Sequence, residues 1–116
     1  MRNFFHELGD EPHQPYRWQT ELKPGDYCVF PVMAHDEVKF IYLLLVPPPD
    51  NIPPDFLFGQ CFSEEIQEPE YAAVHPSAVF KQLSFVQFET AQKNGFRSDI
   101  EAVASVMNYT SIMGNA

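Results

Sequence analysis

The sequence predicts a mainly β (α+β) fold: a small, strongly bent antiparallel sheet or small barrel with a C-terminal helix and an N-terminal arm. Three observations carry this reading. Between Phe40 and Phe80 there is no lysine or arginine, and the short apolar runs of that window are bounded by prolines and acidic residues, as strands joined by stiff loops are. Ahead of it, Leu22-Lys23-Pro24-Gly25-Asp26 places proline and glycine at the two central positions of a type II turn, which delivers the chain into a strand. Beyond it the apolar period becomes helical, and Ser98 with Glu101 forms a capping box in front of an apolar stripe.

Residues 1–21 are mixed in character. Phe4, Phe5 and Leu8 fall at helical spacing ahead of Gly9, which predicts one or two turns closed by that glycine, followed by an arm containing Pro12 and Pro15. Tyr16 and Trp18 alternate as in a strand. This arm is expected to lie across the domain and not at its centre.

The sheet or barrel is assigned to residues 22–83. Its first strand, Tyr27 to Met33, contains Pro31, which has no amide hydrogen and belongs at an edge or a bulge. Ala34 to Lys39 reads as a polar hairpin loop, leading into Phe40 to Val46, which is apolar on both faces and therefore the central strand. Pro47 to Asp55 holds five prolines in nine residues, a stiff connector that no sheet interior accepts. Phe56 to Phe62 resumes strand character with Gly59 as a bend or bulge. Ser63 to Glu70 is an acidic loop, and Tyr71 to Val79 supplies a fourth strand with a turn.

Residues 84–116 form a helical segment. Ser84 with Gln87 makes a capping box, Leu83 and Phe88 occupy the staple positions, and Asn94-Gly95 is a stop signal, so a helix is predicted over 85–93. The run containing Phe85, Val86 and Phe88 keeps a strand open as the alternative there. In the last helix Asp99 and Glu101 suit the positive end, and Ile100, Val103, Ala104 and Met107 line one face up to about Tyr109.

A chain of 116 residues with 45% apolar residues and eleven phenylalanines has the composition of one folded domain, 1–116. Its net charge of -9 and pI near 4.6 oppose approach to a nucleic-acid backbone or an anionic membrane and favour basic partners. The longest apolar run, Phe40 to Val46, is far too short to span a bilayer, and no signal-peptide pattern follows Met1. A cytoplasmic protein with two free thiols, Cys28 and Cys61, is expected.

No residue constellation specifies chemistry. His75 with Cys61 or Cys28 could serve a thiol hydrolase or a zinc site, but no pair stands at metal-ligand spacing and no glycine-rich nucleophile turn is present, so buried cysteines are the simpler reading. His6, His13 and His35 read as surface residues, and His35-Asp36-Glu37 as a solvated turn. No cofactor and no metal are expected. Glu64, Glu65, Glu68 and Glu70 form the densest acidic cluster and read as a solvated loop able to contact a basic partner. Ile41, Leu43 and Leu45 alternate with Phe40, Tyr42, Leu44 and Val46, so one face of this strand calls for cover from the last helix or from a second subunit.

Ala73-Val74-His75-Pro76-Ser77-Ala78-Val79 resembles the closing turn of SH3-like small barrels, in which an apolar residue, a proline and a serine precede a short helical turn and a final strand. Leu22-Lys23-Pro24-Gly25-Asp26-Tyr27 is similar to the entry into their first strand. The resemblance covers about residues 22–83. It implies a small SH3-like barrel. The lack of a catalytic signature and the doubly apolar strand lead separately to the expectation of a non-catalytic interaction or assembly module, self-associating through the exposed side of a strand or helix, with Ile41, Leu43 and Leu45 as candidate contacts. Two alternatives stand beside this: an acidic inhibitor or decoy occupying a partner's basic nucleic-acid site, and a ring protein similar to the Sm-like family, whose glycine and asparagine signature this chain lacks. An enzyme using His75 or Cys61 ranks last.

Overall fold

In the computed structural model the described residues are 21–115, with side chains described through residue 108. The helical turns expected near Phe4 to Leu8 and the arm through residue 20 lie outside them. The chain enters through the expected turn: Gly25 has φ +98°, and the Asp26 amide donates to the Lys23 carbonyl at 3.0 Å, the closure that Pro24-Gly25 prepares. Five strands follow, β1 (Tyr27–Ala34), β2 (Glu37–Leu45), β3 (Leu57–Phe62), β4 (Glu70–Val74) and β5 (Lys81–Leu83), then helices α1 (Phe85–Lys93) and α2 (Ile100–Asn115). All ladders are antiparallel, in the order β4-β3-β2-β1-β5. Among the described residues no ladder joins β4 to β5, so the sheet is open at those two edges.

The strands differ from the sequence expectation at their ends. The loop expected over Ala34 to Lys39 is a two-residue turn: His35 and Asp36 have φ 52° and 65°, the paired positive values of a type I′ hairpin, and pairing continues to Ala34↔Glu37. Gly59 is no bulge, since it sits in register between Leu45 and Ala72. It is glycine because a Cβ there would strike the Leu44 carbonyl group, whose carbon would stand at 2.9 Å. The strand expected to run to Val79 ends at Val74. Pro76–Ala78 is a single 3-10 turn, and β5 returns to pair with β1. Pro31 sits beyond the end of β5, where its missing amide hydrogen costs no ladder bond.

Residues 85–93 are helical, which settles the alternative left open there. Ser84 and Gln87 form the reciprocal capping box, and the helix stops in a Schellman pair, Phe96 N–H to Ala91 carbonyl at 2.8 Å and Gly95 N–H to Gln92 carbonyl at 3.0 Å. Before α2 the cap is Asp99 and not Ser98: the Asp99 carboxylate accepts from the Ala102 amide, and Ser98 is buried. The helix is therefore turned from the expected face. Val103 and Val106 are buried, while Ile100 and Ala104 are exposed.

Both faces of the sheet carry a core. On one, Val29, Phe40, Tyr42 and Leu83 pack against Phe88 and Ala91 of α1 and Val103 and Val106 of α2. On the other, Cys28, Leu43, Leu45, Cys61 and Val74 gather with Leu22 and Val79, flanked by Ile66 and Ala78. Each of these aliphatic side chains contributes roughly 1.5–3 kcal/mol on burial. Both faces of a central strand with no polar face are thus covered by residues of the same chain.

Candidate functional site

Strand alternation puts Tyr27, Leu44, Phe58, Gln60, Tyr71 and Ala73 on the helix side of the sheet, in the rows next to the β2–β3 loop. The helices bury Val29 and Tyr42 but leave these rows part-covered. Tyr27 stacks on Phe88 at 4.3 Å and meets Phe85 at 6.1 Å, and at the β4 edge Tyr71 lies nearly parallel to Phe58, 11° off plane at 5.8 Å. Phe85 and Tyr71 stay 58% and 54% exposed, so two rings stand in water, Tyr71 stacked on Phe58 and Phe85 tilted against Tyr27. Sequence reading missed this surface because parity alone cannot say where the helices stop.

Below these rows, the Pro24 turn and the proline-rich connector close on an open cleft of about 190 Å³. Leu22, Leu45 and Leu57 line it, with Pro24, Pro48, Pro54, Phe56 and Phe58 around them. Phe56 is held edge-on to the His75 ring at 5.3 Å, and His75 Nδ1 accepts from the Ser77 amide at 3.2 Å and lies 2.9 Å from the Ser77 hydroxyl. His75 thus caps the 3-10 turn and braces a cleft wall.

At the opposite end, the β1–β2 turn, the β3–β4 loop and the α1–α2 linker meet in a charged corner. Lys39 pairs with Glu65 at 3.1 Å, and Arg97 with Asp99 at 2.7 Å. The bonds to Glu65 and to Asp99 hold these cations above their ordinary range, with Glu37 and Glu64 adding at Lys39 and Glu64 and Glu101 at Arg97. Asp99 is held below the usual carboxylate range by the Ala102 amide first and by Arg97 second. Glu64 and Glu65 therefore belong to an acidic corner with Glu37, Asp99 and Glu101. Glu68 lies exposed in the loop, and Glu70 begins β4 opposite Cys61.

The apolar site residues expected from sequence are placed elsewhere. Leu43 and Leu45 are 0% and 3% exposed in the second core, and Ile41 is half-buried beside it. Cys28, Leu43 and Cys61 occupy one row of the sheet. Burial first, then Asp26 and Cys61, pushes the Cys28 thiol up to about 12; burial, then Glu70, pushes Cys61 up to about 11. Neither is poised as a nucleophile. Cys61 pairs with Glu70 whereas Leu57 pairs with Val74, so His75, one residue past the far end of that ladder, lies roughly 17 Å along the strand from Cys61.

Among the described residues no cluster of three or more His, Cys, Asp or Glu is placed to hold a metal ion, and no helix is long and apolar enough to cross a membrane. Compared with known proteins, the chain matches no protein-family model, no curated protein and no solved structure.

Proposed function

We propose that this chain is a non-catalytic protein-interaction module built on an SH3-like small barrel, and that it docks a partner on the aromatic end of its helix-side face. The connectivity supports the barrel: a four-strand meander, one 3-10 turn, and a short fifth strand returning to the first. The second core, covered among the described residues by Leu22, the 3-10 turn and Ile66, is what the inside of such a curl would hold.

The observation that carries the docking reading is the Phe58–Tyr71 stack with Phe85 across the face from it. Aromatic side chains fixed by neighbours, exposed, and ending in a hydroxyl are the residues that anchor interfaces. A charge of -9 opposes association of two copies and favours a basic protein as partner. The test is photo-crosslinking from benzoylphenylalanine placed at Tyr71 or Phe85, against controls at Gln92 and Ala104. One adduct shared by positions 71 and 85 and missing from the controls supports the reading; equal adducts from all four positions refute it.

The acidic corner favours a second reading, a decoy that fills a partner's basic nucleic-acid site. Competition is its test: the chain should displace DNA from such a partner, and the E37Q/E64Q/E65Q/E101Q variant should lose that ability. Lys39 and Arg97 meet at this corner already paired with carboxylates, which speaks against the RNA-ring alternative.

A further inference from the structure

The cleft between the Pro24 turn and the proline-rich connector has the size, shape and charge of a site for one ring. A closed apolar cavity of ~150 Å³ accepts benzene, and drug-sized ligands need roughly 300 Å³ or more, so a cleft of about 190 Å³ has the room for a single aromatic side chain. Its floor of Leu45 and Leu57 is set by the β2 and β3 ends, and its proline walls have φ already fixed, so a ring entering orders little that is not ordered before.

The rim decides what carries the ring. Lys23 is paired with Asp26 at 3.6 Å, whereas Asp55 on the same rim makes no ion pair or hydrogen bond among the described residues. The uncompensated charge at the mouth is negative, as is the whole chain. We infer that this cleft binds one aromatic side chain of a partner peptide, flanked there by lysine or arginine that pairs with Asp55. The inference deepens the interaction reading above, on which it rests for the claim that the ring arrives on a protein.

Three peptides test it on the full-length chain by amide chemical-shift titration: Ac-Lys-Trp-Lys-NH2, Ac-Glu-Trp-Glu-NH2 and Ac-Lys-Ala-Lys-NH2. The first should give saturable shifts at Leu22, Leu45 and Leu57 and bind at least tenfold tighter than either of the others. D55K, at an exposed position, should keep the spectrum dispersed and bring the two tryptophan peptides within about twofold of each other.

Equal affinity for all three peptides, no saturable shift at those residues, or shifts centred on Tyr71 and Phe85 instead would each overturn the inference. So would nuclear Overhauser contacts in the free chain from the Trp18 indole to the Leu22 or Leu45 methyls, since the occupant would then be the chain's own N-terminal segment. Cleft binding with no shared adduct at Tyr71 and Phe85 counts against the interaction reading alone; the converse counts against this inference alone.

Discussion

The Tyr42 hydroxyl donates a 3.1 Å hydrogen bond to the main-chain carbonyl of Arg97, 55 residues away. Tyr42 is buried in the central strand, and Arg97 is in the linker between the helices, so this bond helps to fix where the helical pair sits on the sheet. Beside it the Phe40 amide, left over where the β2–β3 ladder stops at Tyr42–Phe62, donates to the Ser98 carbonyl at 2.6 Å.

Tyr42→Phe keeps the ring contact with Phe96 and deletes the bond, leaving the Arg97 carbonyl short of a donor. The expected loss is about 0.5–1.5 kcal/mol. Urea unfolding checks it. An unchanged midpoint would mean that the helices are seated by packing and the Phe40–Ser98 bond without help from the Tyr42 hydroxyl.

Gly59→Ala should be far more damaging than its single methyl suggests, because the added Cβ meets first the Leu44 carbonyl group, backbone that cannot swing aside, and then the buried Leu43 side chain. A loss of roughly 1–3 kcal/mol is expected. Gly25→Ala is also unfavourable, through its φ of +98°, but has open space around it, so the thermal midpoints of the two variants separate steric from conformational cost.

Alkaline pH should unfold the chain through its buried acids. Cys28, raised from 9.0 to about 12, and Tyr42, raised from 10.0 to about 12 chiefly by burial, hold their protons more tightly folded than unfolded. Their contribution is therefore complete below about pH 9 and is lost as pH climbs through 9–12; Cys28 alone withdraws on the order of 4 kcal/mol. Circular dichroism at rising pH should show a transition in that window. Cys28→Ala should move it upward.

At the α2 cap, Asp99→Ala should cost about 1 kcal/mol and Ser98→Ala much less through capping, since only Asp99 accepts from a first-turn amide. Amide exchange at Ala102 distinguishes them. Faster exchange in the Ser98 variant and not in the Asp99 variant would restore the cap position read from sequence.

For the turn between β4 and β5, His75→Asn keeps an acceptor in place of Nδ1 and should hold the Ser77 amide, while His75→Ala should free it. Protection of the Ser77 amide, strong in wild type and the Asn variant and weak in the Ala variant, is the expected pattern. Loss of protection in both would assign the effect to the Phe56 ring contact instead.

What the sequence determined by itself was local. The Pro24-Gly25 turn, the capping box at Ser84, the stop at Asn94-Gly95 and the four main strands all rest on interactions within a few residues, where propensity and turn chemistry speak directly. Tertiary structure decided the rest. β5 is three residues long and exists only because β1 offers it a partner. The choice of Asp99 over Ser98 as cap depends on the linker carbonyl being taken by Phe40, and the covering of both faces of β2 depends on helices and turns far away in the chain. The candidate sites follow the same division: each of their residues is visible in the sequence, but stacking Tyr71 on Phe58, closing Pro24 against Pro54 and converging Glu37, Glu64 and Glu101 on two cations are long-range events. No local period encodes them, because they are set by strand register and by where the helices end.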